Sequence, residues 1–184
     1  DLERPRESWE NARKNLMAAR FCTRLGANVI VLGGTEAVDK GADAFAAFAR
    51  AANELGRRLH ETHGVRLALH PHLGALVETR EDIARVMDAT DPRALWLAPD
   101  TGHLLAGGSD PVEIFETYAT RIVHAHLKDY APAPAGGRGA FLPLGAGQVD
   151  FPALLGLSRR AGFDGWLAIE LDGGRGVDPA VAAR

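Results

Sequence analysis

The residues best suited to chemistry in this 184-residue chain stand at the ends of short apolar runs. Residues 121–130 read Arg-Ile-Val-His-Ala-His-Leu-Lys-Asp-Tyr. Ile122, Val123 and Leu127 give the run its β-forming character. Side chains of a strand alternate between its two faces, so His124, His126 and Lys128 share one face. A single histidine on an apolar strand is usually a core residue with a backbone partner. Here the pattern recurs. Residues 66–72 end in His70 and His72, residues 94–103 end in Asp100 and His103, and residues 165–172 carry Glu170 at their end. Imidazole nitrogens and carboxylate oxygens gathered at one place form a mixed N/O donor set for a first-row divalent metal.

Gathering them is the task of the elements between. Trp9, Ala12, Leu16, Ala19 and Thr23 fall at helical spacing, so residues 8–25 are predicted as a helix that Gly26 stops. Residues 28–32 are the first strand. Gly33 and Gly34 then permit a tight turn or a close approach of backbone to a ligand. Residues 43–60 form a second helix with Phe45, Phe48, Ala52, Leu55 and Leu59 on one apolar stripe. His60 and His63 suit its C-terminal dipole and receive no function. The second strand, 65–72, should end at Pro71, which cannot donate to a ladder. Thr79 caps a short helix with Ile83, Val86 and Met87 on its apolar face, and Glu78 before it reads as a solvated loop carboxylate. Residues 94–98 are the third strand. Asp110-Pro111 opens another helix, and residues 121–130 are the fourth strand. Residues 131–139, rich in Pro, Ala and Gly, read as a mobile loop on the functional rim. Residues 141–151 read as a second irregular segment, Asp150 caps a helix over 151–161, and residues 166–171 are the last strand.

This alternation of strand and helix is the α/β signature. In a closed parallel α/β barrel all strand ends meet on one rim, where the active site lies. Such a barrel takes eight βα units and about 250 residues. The five units read here predict one domain over 1–184 that covers about the last five units of a (β/α)8 barrel, with the N-terminal strands absent. An open doubly wound sheet is the alternative, but it would not bring all five strand ends round one site.

Apolar residues make up 46% and charged residues 24%, the balance of a soluble globular domain. The net charge of −3 and pI near 6.2, with no basic run, argue against a nucleic-acid surface. Cys22 is the sole cysteine and reads as a small packing residue, which excludes a disulfide framework and a cysteine metal cage and fits a reducing, cytoplasmic setting. No run approaches the roughly 20 apolar residues of a membrane span, and residues 1–7 lack a signal-peptide core.

Five motifs in order carry a resemblance: His70-Pro-His-Leu-Gly-Ala-Leu-Val-Glu-Thr, Asp100-Thr-Gly-His-Leu, His124-Ala-His-Leu-Lys-Asp, Pro143-Leu-Gly-Ala-Gly-Gln-Val-Asp-Phe and Gly165-Trp-Leu-Ala-Ile-Glu-Leu-Asp. The chain resembles the xylose-isomerase-like TIM barrel superfamily of sugar isomerases, epimerases and dehydratases. Within it the His-Pro-His run is most similar to the inosose dehydratases of inositol catabolism. The resemblance implies one divalent metal, Mn or Co in preference to Mg or Zn. Its ligands would be His70, Asp100, His126 and Glu170, with His72 an alternative to His70, which stands where the epimerases have a glutamate. It also implies that His72, His103, His124 and Lys128 line the substrate pocket.

These relatives share removal of a proton α to a carbonyl. A 3-epimerase then needs two opposed carboxylates, and His70 in place of one disfavours it. A dehydratase needs an acid for a departing β-hydroxyl, which a histidine or lysine supplies. The expected reaction is dehydration of a small polyhydroxy ketone, 2-keto-myo-inositol. Glu170 or a metal-bound hydroxide takes the α-proton, and His72, His103 or Lys128 helps water leave. The alternatives are a ketose isomerase or 3-epimerase, a 3-dehydroshikimate-type dehydratase and, further off, an endonuclease IV-like repair enzyme. A homo-oligomer is possible.

Overall fold

The computed structural model describes residues 5–33, 40–133 and 139–172. Helix α1 (Pro5–Arg24) leads through Gly26, at φ 78°, into strand β1 (Val29–Gly33). Gly34, the second of the paired glycines, lies outside the described residues. Helix α2 (Ala42–His63) ends on Gly64, whose left-handed φ of 65° lets its N–H reach the His60 carbonyl and the Val65 N–H reach that of Leu59. Strand β2 (Arg66–His70) follows. Helix α3 (Arg80–Asp88) opens on a capping box: the Thr79 hydroxyl accepts from the Asp82 N–H, and the Asp82 carboxylate accepts from the Thr79 N–H. Glu78, beside that cap, pairs with Lys40 at 2.7 Å.

Strand β3 (Leu95–Leu97) leads at once into helix α4 (Thr101–Ala106), then α5 (Pro111–Thr117), strand β4 (His124–Leu127), a hairpin of β5 (Asp129–Ala131) and β6 (Ala140–Leu142), helix α6 (Phe151–Arg160) and strand β7 (Trp166–Ile169). Asp110 and Asp150 cap α5 and α6, each followed by proline in the first turn.

Strands β1, β2 and β3 pair in parallel, as do β4 and β7. Parallel bridges at Leu97–Ile122 and Asp100–His126 join the two groups. The order is therefore β1-β2-β3-β4-β7, five parallel strands with every C-terminal end on one side. This is a partial α/β barrel, as the strand-helix rhythm predicts.

The two faces of these strands bury different cores. Leu67, Leu69, Leu95 and Leu97 point outward to Phe45, Phe48, Leu55 and Leu59 of α2 and to Ile83 and Val86 of α3. Ala68, Ala98 and Val123, with Val29, Val31 and Trp96, fill the inner face. Phe45 and Phe48 are thus core residues, as their stripe predicts. Gly56 lies mid-helix because α2 touches β3 there. A Cβ on Gly56 would meet the Ala94 carbonyl oxygen at 1.9 Å.

Three segments differ from the sequence reading, the first being helix α4, which that reading does not place between Asp100 and Gly107. The fourth strand stops after Leu127 because the Thr101 hydroxyl takes both backbone groups of Lys128. It accepts from the Lys128 N–H at 2.9 Å and donates to the Lys128 carbonyl at 2.6 Å. The stretch read as loop and irregular chain holds the antiparallel β5–β6 hairpin, while residues 134–138 lie outside the described residues.

Candidate metal and acid–base centre

Each expected side chain reaches the rim for a local reason. Asp100 follows β3 and caps α4, its Oδ1 accepting from the His103 N–H at 2.9 Å. That bond fixes Asp100 and brings His103 one turn later to the same side. His126 sits on β4, its N–H bound to the Pro99 carbonyl at 2.9 Å. Glu170 follows β7, with its N–H on the Leu127 carbonyl at 3.1 Å.

Asp100, His126 and Glu170 converge. Their ligand atoms lie within 4.8 Å of one another. His126 Nδ1 is 2.5 Å from Glu170 Oε2 and 3.7 Å from Asp100 Oδ2. A second such group joins His70, Asp100 and His103, all buried. The His70 ring lies 4.7 Å from that of His126. A carbonyl only accepts, so the 3.2 Å contact to Ala98 places the His70 proton on Nδ1 and leaves Nε2 a free lone pair. His72 donates Nδ1–H to the Leu73 carbonyl at 2.8 Å and stacks on His103 at 3.8 Å. His72 belongs to neither three-residue group. The His124 ring is 5.1 Å from that of His126, half-buried at the margin.

Lys128 is the centre of the charge network. Its Nζ lies 3.1 Å from Asp100 Oδ2, 3.2 Å from Glu170 Oε1, 2.8 Å from Asp172 Oδ2 and 3.2 Å from His103 Nε2. Asp172, which also stands 3.4 Å from His103 Nε2, is a site residue that strand periodicity does not single out. Its one sequence signal is its place two residues after Glu170, on the same side of the chain. Phe141 of the hairpin closes over this group, 5.0 Å from the His103 ring and 5.3 Å from Lys128 Nζ.

Burial and charge compete here. Burial raises the Asp100 carboxyl, but His126, the His103 amide and Lys128 together hold it well below the carboxylate range. Burial pushes His103 down to about 4 and lowers His70 as well, with His126 adding to the effect on His70. Asp100 raises His126. Burial opposes the Lys128 charge, yet Asp172 and Asp100 outweigh it and raise the ammonium.

The donor set fits a divalent cation. Asp100 Oδ2 and His126 Nδ1 are buried and make no hydrogen bond of regular geometry; only charged groups meet them, Lys128 Nζ at 3.1 Å from the first and Glu170 Oε2 at 2.5 Å from the second, as donor atoms turned toward a shared cation position would be. Two imidazoles and two carboxylates suit Mn²⁺, Co²⁺ or Zn²⁺. A groove of about 600 Å³ lies elsewhere, among Arg50, Arg57, His60, Asp91 and Arg93. It sits by Ala94, at the opposite end of β3 from Asp100, and holds none of these donors.

The sequence profile of the xylose isomerase-like TIM barrel family matches residues 2–184. The chain belongs to that family. It is similar to the inosose dehydratase of Clostridium botulinum, 36% identical over 143 residues, covering 71% of this chain and 46% of the relative. The inosose dehydratase of Geobacillus kaustophilus is 39% identical over 132 residues, covering 65% and 42%. The chain therefore spans about half the length of the curated relatives it matches. Among solved structures of the family fold, a xylose isomerase-like TIM barrel protein from Mycobacterium smegmatis in complex with magnesium superposes with a TM-score of 0.76. It is 21% identical and covers 94% of this chain and 64% of that one. Among the described residues no helix is long and apolar enough to cross a membrane.

Proposed function

We propose that the protein is a metal-dependent hydro-lyase that removes water from 2-keto-myo-inositol. The observation that carries this reading is the convergence of Asp100, His126 and Glu170 with the Lys128 ammonium against two of them. The similarity to two inosose dehydratases supports the substrate. Asp100, His126 and Glu170 hold the ion, with His70 as the fourth ligand through its free Nε2. Mn²⁺ or Co²⁺ is the preferred occupant. When bound, the ion acts as a Lewis acid that polarises the ketone.

The chain's own groups then move the protons. Glu170 takes the proton from the carbon α to the ketone. Lys128 gives a proton from Nζ to the departing β-hydroxyl, which leaves as water. The Cα–H electron pair becomes the new double bond as the C–O bond breaks, so the products are water and an unsaturated ketone. The 3.2 Å contact between Glu170 Oε1 and Lys128 Nζ offers the abstracted proton a way back to the amine, which resets both groups. His103 and Asp172 orient Nζ. His72 and His124 flank the substrate's approach, and Phe141 excludes water from the Lys128 side. A cytoplasmic setting and a homo-oligomer are compatible with this reading.

The test is turnover of 2-keto-myo-inositol by purified full-length protein, stripped of metal and then supplied with Mn²⁺ or Co²⁺. Metal-dependent formation of the unsaturated ketone is the expected result. Metal without turnover would move the substrate to another ketose or a dehydroshikimate-type acid. A protein that takes up no divalent ion would end the hydro-lyase reading.

A further inference from the structure

Among the described residues Lys128 is the largest fully buried side chain, and only 1% of it is exposed. Taking an ammonium out of water costs several kcal/mol unless charged partners surround it. Here three carboxylate oxygens and one imidazole nitrogen do so, from Asp100, Glu170, Asp172 and His103, all between 2.8 and 3.2 Å. That is the donor set of a hard-to-borderline divalent metal, with an ammonium at its centre. The stem is fixed as well as the head. It packs on Gly102, where a Cβ would meet Lys128 Cγ at 2.8 Å.

The two overlapping metal-competent groups sharpen the point. One is Asp100, His126 and Glu170; the other is His70, Asp100 and His103. Lys128 Nζ stands against Asp100 in both, against Glu170 in the first and against His103 in the second. Glu170 divides its oxygens accordingly, Oε2 toward His126 and Oε1 toward Lys128. Charge balance agrees. The carboxylates of Asp100, Glu170 and Asp172 are neutralised by one ammonium together with one dication. A second dication beside the ammonium would leave uncompensated positive charge in a partly desolvated pocket, which is costly.

We propose that Lys128 is a built-in cation that limits the site to one metal ion, and that a chain lacking it takes up a second divalent ion among Asp100, His103, Glu170 and Asp172. This rests on the one-metal reading above. In that second position the ion would be held by Asp100, His103, Glu170 and Asp172, the groups that now meet the ammonium.

The experiment counts bound Mn²⁺ by elemental analysis and calorimetric titration in full-length wild type and Lys128→Ala. Electron paramagnetic resonance reports whether the ions are magnetically coupled. About one ion in the wild type and about two coupled ions in the variant are expected for a vacated cation position. If the alanine chain fails to fold, Lys128→Ser, whose small hydroxyl leaves room for hydration, carries the same count. One isolated ion in both proteins overturns the proposal and leaves the one-metal reading standing. No ion in the wild type overturns that reading and the proposal with it. Two ions in the wild type overturn the proposal and the one-metal count, and leave the hydro-lyase reading standing.

Discussion

Lys128 Nζ and Asp172 Oδ2 stand 2.8 Å apart, the shortest of the ammonium's contacts to carboxylates. Asp172 lies beyond β7 and its side chain is 40% exposed, so it can hold Nζ without being a metal ligand. Asp172→Asn keeps the shape and removes the charge. The expected result is a loss of about tenfold to hundredfold in kcat, the usual cost of a lost outer-sphere partner, with metal content unchanged. Elemental analysis beside steady-state kinetics checks this. A drop in bound metal would instead make Asp172 a ligand.

Asp100 has two duties, and two substitutions separate them. Its Oδ2 faces the metal position while Oδ1 caps α4. Asp100→Asn and Asp100→Ala should both lose the bound ion. Only alanine also loses the cap, which is worth about 1 kcal/mol. Chemical denaturation of the two metal-free variants should therefore find alanine the less stable. Equal stability would mean that α4 does not depend on its cap.

The buried Asp129 shapes the chain around the hairpin. Its carboxylate accepts from the amides of Tyr130, Gly145, Gly147 and Val149, at 2.7 to 3.1 Å. Gly147 approaches so closely that a Cβ there would meet Asp129 Oδ1 at 2.3 Å. Asp129→Ala leaves four amides without an acceptor, at about 1–3 kcal/mol for each that stays buried. Faster amide exchange and proteolysis over residues 143–149 are the expected outcome. Unchanged protection there would show that the segment is held by other contacts.

Gly56 marks the contact between α2 and β3. Gly56→Ala would raise helix propensity by roughly 1 kcal/mol in an open helix. Against the Ala94 carbonyl it should instead destabilise by about 1–3 kcal/mol, as overpacking does. A thermal melt decides the sign. A higher melting temperature would mean that α2 can withdraw from β3 at little cost.

The strand ends were legible because period-two alternation and apolar runs survive in a single sequence. His70, Asp100, His126, Lys128 and Glu170 all follow from that pattern, and the structure brings them to one rim. The caps at Thr79, Asp110 and Asp150 were legible for a similar reason: capping chemistry is local. Three features were not. Helix α4 spans six residues, too few for a 3.6-residue period to show. The β5–β6 hairpin has three-residue strands split by a Pro-, Ala- and Gly-rich stretch, so no alternation can develop. Asp172 owes its role to the position of Lys128 Nζ, a long-range fact that neither neighbour encodes locally. His70 and His72 share a strand face in the sequence reading, yet only His70 joins a metal-competent group, because His72 turns toward the Leu73 carbonyl.

The Thr101 hydroxyl ties the first residue of α4 to the backbone of Lys128 through two bonds. Asp100 is the residue before Thr101, so the Asp100 carboxylate and the Lys128 ammonium are fastened into one block. Their separation is set by the fold itself. The Phe141 hairpin grows from the same block, since β5 begins at Asp129, the residue after Lys128, and packs against α4. One hydroxyl thus fixes the spacing of two charged groups that lie far apart in the sequence.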